Sequence, residues 1–152
     1  MKTDSIVVGV DGSDNAATAL STAADLAAQS GGTVHVVVAY DPMPPDAYRD
    51  ILAQLPDEFR STYDPAAVHR GVLDEAMLVL AHRDIAREGH LVADHPVSAI
   101  LDTAEAVDAD LIVVGSRGTG WVTRAFRGSV SSRVANHATR NLLVVHEEEP
   151  AD

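Results

Sequence analysis

The sequence contains no cysteine, few aromatic residues and no apolar run long enough to cross a membrane. The lack of cysteine excludes disulfides and thiolate metal sites, which is consistent with a cytoplasmic protein. Aromatic residues make up only 4% of the chain, so Ala, Val and Leu carry most of its apolar surface. This favours helices packed closely on a sheet over a β-sandwich. A membrane span needs about 20 consecutive apolar residues, so we expect no membrane segment, and the first residues, Met1–Thr3, do not resemble a signal peptide.

Basic residues are also scarce, with 11 Lys and Arg against 23 Asp and Glu and a formal charge of −12. Such a surface repels phosphate backbones, so we expect no nucleic-acid partner. The charge is unevenly distributed, because no Asp or Glu occurs from Leu111 to His146 although five of the 11 basic residues do. An acid-free window in an acidic chain indicates an anionic ligand. The length of 152 residues predicts one domain.

Short apolar runs alternate with segments of helical periodicity, which predicts an α/β domain with an open parallel sheet and helices on both faces. Strands are predicted at 5–10, 33–39, 90–93, 110–114 and 142–146. Helices are predicted at 14–29, 64–88, 96–107 and 129–139. Gly31 and Gly89 are expected to end the first two helices. The inner face of the first helix is predicted to hold Ala16, Leu20, Ala23, Ala24 and Ala27, and that of the second Val68, Val72, Ala76, Val79 and Leu80.

Segment 41–64 is the least regular part of the chain, with four prolines among scattered charges and short helical turns possible near Tyr48–Leu55. A loop of this length is often a lid or a partner surface, and disorder is the alternative. Residues 1–147 are predicted to form the domain, and residues 148–152 an acidic tail.

A glycine-rich stretch follows the fourth predicted strand, beginning Gly115-Ser-Arg117-Gly118 and ending Gly128-Ser-Val-Ser131. Gly115 and Gly118 permit positive φ and close backbone approach. The N–H groups of Ser129, Val130 and Ser131 would point outward from the first turn of a helix, which suits a phosphate. An ordinary loop with a serine cap is the alternative, and the acid-free window favours the anion site. Neither the P-loop nor the glycine-rich dinucleotide motif is present.

Asp11 follows the first strand, where its carboxylate could accept from a ribose hydroxyl or hold a divalent cation. A purely turn-forming role with Gly12 is equally compatible with the sequence. If the first and fourth strands are neighbours, Asp11 and the glycine loop share one crevice, but the sequence does not establish that adjacency. The seven histidines have no metal-binding spacing and are interpreted as structural or surface residues. No catalytic nucleophile is identified.

The spacing Gly-x2-Gly-x9-Gly-Ser from Gly115 to Ser129 resembles the ATP-binding signature of the universal stress protein family. The resemblance extends over nearly the whole chain, from Ile-Val-Val-Gly-Val-Asp-Gly-Ser at the start to Leu142-Leu-Val-Val145 near the end. It implies a Rossmann-like five-stranded sheet of order 3-2-1-4-5 and a homodimer formed through the last strand.

The resemblance also implies ATP, or AMP or ADP, as ligand, with Mg²⁺ or Mn²⁺. Asp11 would contact ribose or the metal, Val10 and Ala39 would border adenine, and Ser13 would reach the terminal phosphates. The residues implied to hold ribose and phosphates are Gly115, Arg117, Gly118, Gly128, Ser129, Val130 and Ser131.

Three functions remain open from the sequence. The first is a stress-response regulator in which ATP acts as a conformational switch. The second is a slow ATP hydrolase or phosphoryl-transfer enzyme, for which only Asp11 is a candidate residue. The third is a chaperone-like module that binds partners through segment 41–64 and holds its nucleotide structurally.

Overall fold

The structure, a computed structural model, describes residues 1–116, 137 and 139–146. The strands are β1 (Ser5–Gly9), β2 (Thr33–Tyr40), β3 (Ala86–Ala93), β4 (Leu111–Gly115) and β5 (Asn141–Val145). The helices in the described part of the chain are α1 (Asp14–Ser30), α2 (Pro45–Gln54), α3 (Asp57–Arg60), α4 (Ala67–Ala81) and α5 (Pro96–Ala106). The predicted helix at 129–139, apart from residues 137 and 139, and the predicted tail at 148–152 lie outside the described residues.

The five strands form one parallel sheet in the order β3-β2-β1-β4-β5, as expected. The central strands β1, β2 and β4 are rich in Val and Ile and almost completely buried, because helices cover both of their faces. The predicted bounds of β1, β2, β4 and β5 differ from the observed ones by one residue at one or both ends. No helix among the described residues is long and apolar enough to span a membrane.

Helices cover the sheet from two sides and divide the core into two clusters. On one face α1 and α4 pack on the side chains of Val34, Val36 and Val38, and on the other α5 packs on Val7 and Val37. Ser13 caps α1 by accepting from the Ala16 N–H at 3.2 Å, and Gly31 ends the helix with φ of 75°. The predicted inner face of α1 is confirmed, since all five of its residues are buried.

The predicted helix at 64–88 is wrong at both ends. It begins at Ala67, one turn after Asp64, whose Oδ1 accepts from the Ala66 N–H at 2.9 Å in the preceding turn. It ends at Ala81, and β3 begins at Ala86, four residues before the predicted strand. Residues 86–88 (Ala-Arg-Glu) are good helix formers, but they pair in register with β2, and this tertiary contact overrides their local preference.

Gly89 therefore lies in the middle of β3 and does not end a helix. A Cβ at this position would lie 3.2 Å from a Leu73 methyl carbon and 3.3 Å from the Met77 sulfur. The glycine thus lets α4 pack closely on the edge of the sheet.

The predicted inner face of α4 is correct for Val72, Ala76 and Leu80 and wrong for two valines. Val68 is 77% exposed and Val79 is 51% exposed. Leu73 and Met77 pack on the core in their place. The error arises because α4 is apolar on more than one face, so periodicity alone does not identify the side that meets the sheet.

Segment 41–64 is helical over much of its length. It forms α2 and the short α3, both of which start directly after a proline. No residue of either helix is buried. The ring of Tyr48 lies 5.8 Å from that of Tyr63, which holds the two ends of the segment together.

Candidate functional site

The strand order creates a crevice at the carboxyl end of the sheet. β1 pairs with β2 on one side and with β4 on the other, so the order of strands along the chain reverses between β1 and β4. Ligands of open parallel sheets bind at this position. The adjacency of β1 and β4, which the residue pattern left open and the family resemblance implied, brings Asp11 and Gly115 to the same crevice.

The turn after β1 is held by the side chain of Asp11. Its Oδ1 accepts from the Ser13 N–H at 3.0 Å, and Gly12 adopts φ of 86°. Asp11 therefore has the turn-forming role that was one of its two predicted roles. Within the described residues the other oxygen, Oδ2, has no hydrogen-bond partner. It therefore stays available for the second predicted role, which is to accept from a ribose hydroxyl or to hold a divalent cation. Ser13 uses its Oγ as the acceptor that caps α1 and keeps its hydroxyl proton available as a donor.

Gly115, the last residue of β4, packs against the first turn of α1. A Cβ at this position would lie 2.8 Å from the carbonyl oxygen of Asn15, which no side chain tolerates without a backbone shift. The close backbone approach that a glycine permits is thus present at Gly115. Gly115 does not adopt a positive φ, because the glycines with positive φ among the described residues are Gly12 and Gly31.

Buried polar atoms without partners cluster near the crevice. Among the described residues there are three such side-chain atoms, Asn15 Oδ1, His69 Nδ1 and Ser116 Oγ. Ser116 follows β4, and Asn15 lies beside Gly115. A buried polar atom without a hydrogen bond costs about 1–3 kcal/mol, so these three atoms mark positions where a ligand or water would be stabilising.

A pocket of about 200 Å³ opens beside Asp11 at the ends of β1 and β2. Its lining residues are Asp11, Val38, Ala39, Tyr40, Asp41, His69, Val72 and Pro96. Sites that enclose a whole small ligand are usually about 300–1,000 Å³, so this pocket fits one ring system of a larger ligand. Ala39 lines this pocket, and Val10, which is 7% exposed, packs in the neighbouring core cluster, so the predicted contacts of both residues with adenine stay predictions.

His69 and Tyr40 are pocket residues that the sequence analysis did not identify. Their rings lie 5.7 Å apart, and His69 stands at i, i+3 from Val72 on α4. That spacing places His69 on the helix face that meets β2. It is the only feature of the local sequence that indicates a position of His69 in the pocket. Nearby, Arg70 hydrogen-bonds Asp64 at 2.9 Å and lowers the pKa of that carboxyl, fixing the start of α4.

Arg140 does not belong to the crevice, although the acid-free window includes it. It precedes β5 at the opposite end of the sheet, where its Nη1 lies 2.6 Å from Asp108 Oδ1. Apart from Gly115, the residues predicted to hold ribose and phosphates lie outside the described part of the chain. They are Arg117, Gly118, Gly128, Ser129, Val130 and Ser131.

Comparison with known proteins identifies the family. The family model described as "Universal stress protein family" matches residues 2–146. A universal stress protein of Mycobacterium tuberculosis is 33% identical over 144 residues, covering 93% of this chain and 94% of that protein. One of Thermus aquaticus is 33% identical over 144 residues, covering 92% and 96% respectively.

Solved structures show the same architecture. A universal stress protein in complex with cAMP is 28% identical, with a TM-score of 0.70 over 96% of this chain and 98% of that one. A universal stress protein of Archaeoglobus fulgidus in complex with dAMP is 27% identical, with a TM-score of 0.63 over 95% and 98%. The fold, the crevice and these matches agree, and the chain belongs to the universal stress protein family.

Proposed function

We propose that this protein binds an adenine nucleotide in the crevice between β1, β2 and β4 and uses it as a signal of cellular state. The observation that carries the proposal is the pocket beside Asp11 at the ends of β1 and β2, next to the switch point between β1 and β4, which combines apolar walls with the polar residues Asp11, Tyr40, Asp41 and His69. Related proteins of the same fold are known in complex with cAMP and with dAMP, which share an adenine base, a sugar and one phosphate.

The base would occupy the pocket of about 200 Å³. Val38, Ala39 and Val72 provide apolar walls for the faces of a planar ring. The buried Nδ1 of His69 has no partner among the described residues and would hydrogen-bond a polar edge of adenine.

The sugar and phosphates would extend from Asp11 towards the end of β4. The free Oδ2 of Asp11 suits a ribose hydroxyl, and Ser116 Oγ marks a second polar position beyond Gly115. The phosphates would then reach the predicted loop from Arg117 to Ser131. In this arrangement ATP makes more contacts than a monophosphate, so ATP is the proposed ligand.

A Mg²⁺ or Mn²⁺ ion would accompany the triphosphate. The free Oδ2 of Asp11 would bind this ion as the alternative to the ribose hydroxyl, because Oδ1 is engaged in the turn. Mg²⁺ is usually held by one or two carboxylates together with phosphate oxygens and waters, so the donor set fits an ion that arrives with the nucleotide.

The proposed role is binding and not turnover. Nucleotide binding shifts a protein between states only as far as its affinity for the two states differs. Of the two carboxylates that line the pocket, Asp11 is engaged in the turn and Asp41 belongs to the base end. We therefore propose that ATP biases conformation or dimer formation, and hydrolysis of labelled ATP at a rate that Asp11→Asn abolishes would contradict this.

The dimer implied by the family is also a proposal. β5 forms one edge of the sheet, and within the described residues its strand partner is β4. Leu142–Val145 are apolar and only partly buried, so a second copy could pair with this edge. Sedimentation velocity should give a dimer that Val144→Glu converts to monomer, and a monomeric parent protein would refute it.

Calorimetric titration with ATP, AMP and cAMP, each with and without Mg²⁺, tests nucleotide binding. The His69→Ala variant should bind all three about fivefold more weakly, equivalent to a lost hydrogen bond of about 1 kcal/mol. His82→Ala, at the C-terminal cap of the same helix and exposed, is the matched control. Asp11→Asn retains an oxygen acceptor for the turn and should weaken binding mainly in the presence of Mg²⁺. Failure of all three nucleotides to bind at millimolar concentration would overturn the proposal.

A further inference from the structure

Three potential metal ligands meet on the face of the sheet that α5 covers. His35 lies on β2, and Glu88 and His90 lie on the edge strand β3. His35 pairs directly with Glu88, and Val37, the next residue of β2 on the same face, pairs with His90. Parallel registry therefore places all three side chains on one side of two neighbouring strands. These histidines were interpreted from sequence as structural or surface residues, and the cluster arises only when β3 extends back to Ala86.

The distances within the cluster match those between ligands of one ion. His35 Nδ1 lies 3.1 Å from His90 Nε2 and 3.6 Å from Glu88 Oε2, and all three ligand atoms are within 4.8 Å of one another. Metal–ligand bonds of about 2.0–2.1 Å in a tetrahedron separate the ligand atoms by about 3.3 Å. A direct hydrogen bond between the two imidazoles is the alternative that the same 3.1 Å distance allows.

The three side chains of the cluster differ in burial: His35 is buried, His90 is partly buried and Glu88 is exposed. His35 is 7% exposed and lies on β2, between β1 and β3, whereas the Glu88 side chain is 62% exposed. A buried inner ligand with an exposed outer carboxylate would let the site adjust by the few tenths of an ångström that coordination requires. The open side leaves room for water as a further ligand.

We propose that His35, Glu88 and His90 bind one divalent transition-metal ion of the zinc class. Two imidazole nitrogens and a carboxylate suit Zn²⁺, Co²⁺ or Ni²⁺, whereas Mg²⁺ prefers oxygen ligands. The site is separate from the nucleotide crevice, because His35 precedes Ala39 by four residues of β2, which is about 13 Å at the usual rise of a strand. It does not depend on the proposed function.

The ion would join the edge strand β3 to the interior strand β2. An edge strand is held by hydrogen bonds on one side only, so a metal bridge would add stability where the sheet is weakest. Its contribution rises with free metal concentration, because the ion binds the folded chain and the three ligands come together only on folding.

The test is a calorimetric titration of nucleotide-free protein with ZnCl₂ after dialysis against EDTA. The expected result is one Zn²⁺ per chain and a rise in melting temperature on binding. His90→Ala and Glu88→Gln should each weaken binding by more than the 10–100-fold that is typical for an outer-shell partner. Both variants keep the buried His35 and change residues of the edge strand that are not fully buried, so both should fold, which circular dichroism checks.

Two control variants separate this site from other zinc binding. His82→Ala removes an exposed histidine elsewhere, and Asp11→Asn removes the charge at the nucleotide crevice, and both should bind Zn²⁺ as the parent does. The visible spectrum of the Co²⁺ form should show nitrogen and oxygen ligation that His90→Ala abolishes. Equal Zn²⁺ affinity in the parent, His90→Ala and Glu88→Gln, or no binding at micromolar Zn²⁺, would overturn the proposal and leave a hydrogen-bonded histidine pair.

Discussion

Replacement of Gly115 by alanine tests how tightly α1 is held against the end of β4. The new Cβ would meet the Asn15 carbonyl oxygen at 2.8 Å and its carbonyl carbon at 3.0 Å. Both atoms belong to the backbone of α1, so relief requires a shift of the helix and not of a flexible side chain. Overpacking of this kind costs about 1–3 kcal/mol. Alanine recovers about 0.5–1 kcal/mol because it restricts the unfolded chain, so a net loss of about 1–2 kcal/mol is expected.

Gly71 provides the matched control. It lies on the exposed side of α4, and a Cβ there meets no atom within 4 Å. Gly71→Ala should therefore stabilise the protein by about 0.5–1 kcal/mol through helix propensity alone. The same substitution is thus expected to act with opposite sign at two positions.

Denaturant unfolding and thermal melting measure both variants. In a chain of this size 1 kcal/mol corresponds to about 2–4 °C in melting temperature. ATP affinity should also fall in Gly115→Ala, since the shifted helix begins at the proposed site, and it should be unchanged in Gly71→Ala. If Gly115→Ala is as stable as the parent protein, the close packing of α1 on β4 does not constrain the fold as inferred here.

Other perturbations give equally definite expectations. Ser13→Ala removes the acceptor for the Ala16 N–H and should lower the free energy of unfolding by about 1 kcal/mol. Urea unfolding measures this change, and an unchanged midpoint of the urea transition would contradict the capping role. Leu80→Ala in the core should cost about 2–5 kcal/mol, whereas Leu78→Ala, 63% exposed on the same helix, should stay within about 0.5 kcal/mol. In Arg70→Gln the pKa of Asp64 should rise towards 3.8, as followed by NMR titration. Because the pKa of Asp64 is lowered in the folded protein, ionised Asp64 stabilises the fold through its hydrogen bond to Arg70 at pH values above 3.8. This stabilisation is lost as the pH falls through the lowered pKa.

The parallel sheet and most of its elements follow from local pattern. Continuous Val and Ile runs identify buried strands, and alanines at helical spacing identify the inner face of α1. Prediction was wrong where local preference and tertiary contact disagree. Residues 86–88 favour helix by themselves, and only pairing with β2 makes them a strand.

The candidate site is predictable only in part, because local pattern locates the ends of strands but not the docking of helices on the sheet. Asp11 and Gly115 directly follow the predicted strands at 5–10 and 110–114, so the sequence pattern locates both residues. His69 lies on a helix whose apolar residues surround more than one face, and its approach to Tyr40 depends on how α4 docks on the sheet. No sequence spacing encodes that docking.

The sequence by itself determined the α/β class, the alternation of strands and helices, and the turn chemistry of Asp11-Gly12-Ser13, because each depends on neighbours within a few residues. The position of β1 beside β4 was implied by the family resemblance but not by local pattern, and the tertiary structure alone decided that His69 faces the pocket and that His35 meets Glu88 and His90. These contacts join residues far apart in the chain, and their distances are set by how complete elements pack, which no local pattern specifies.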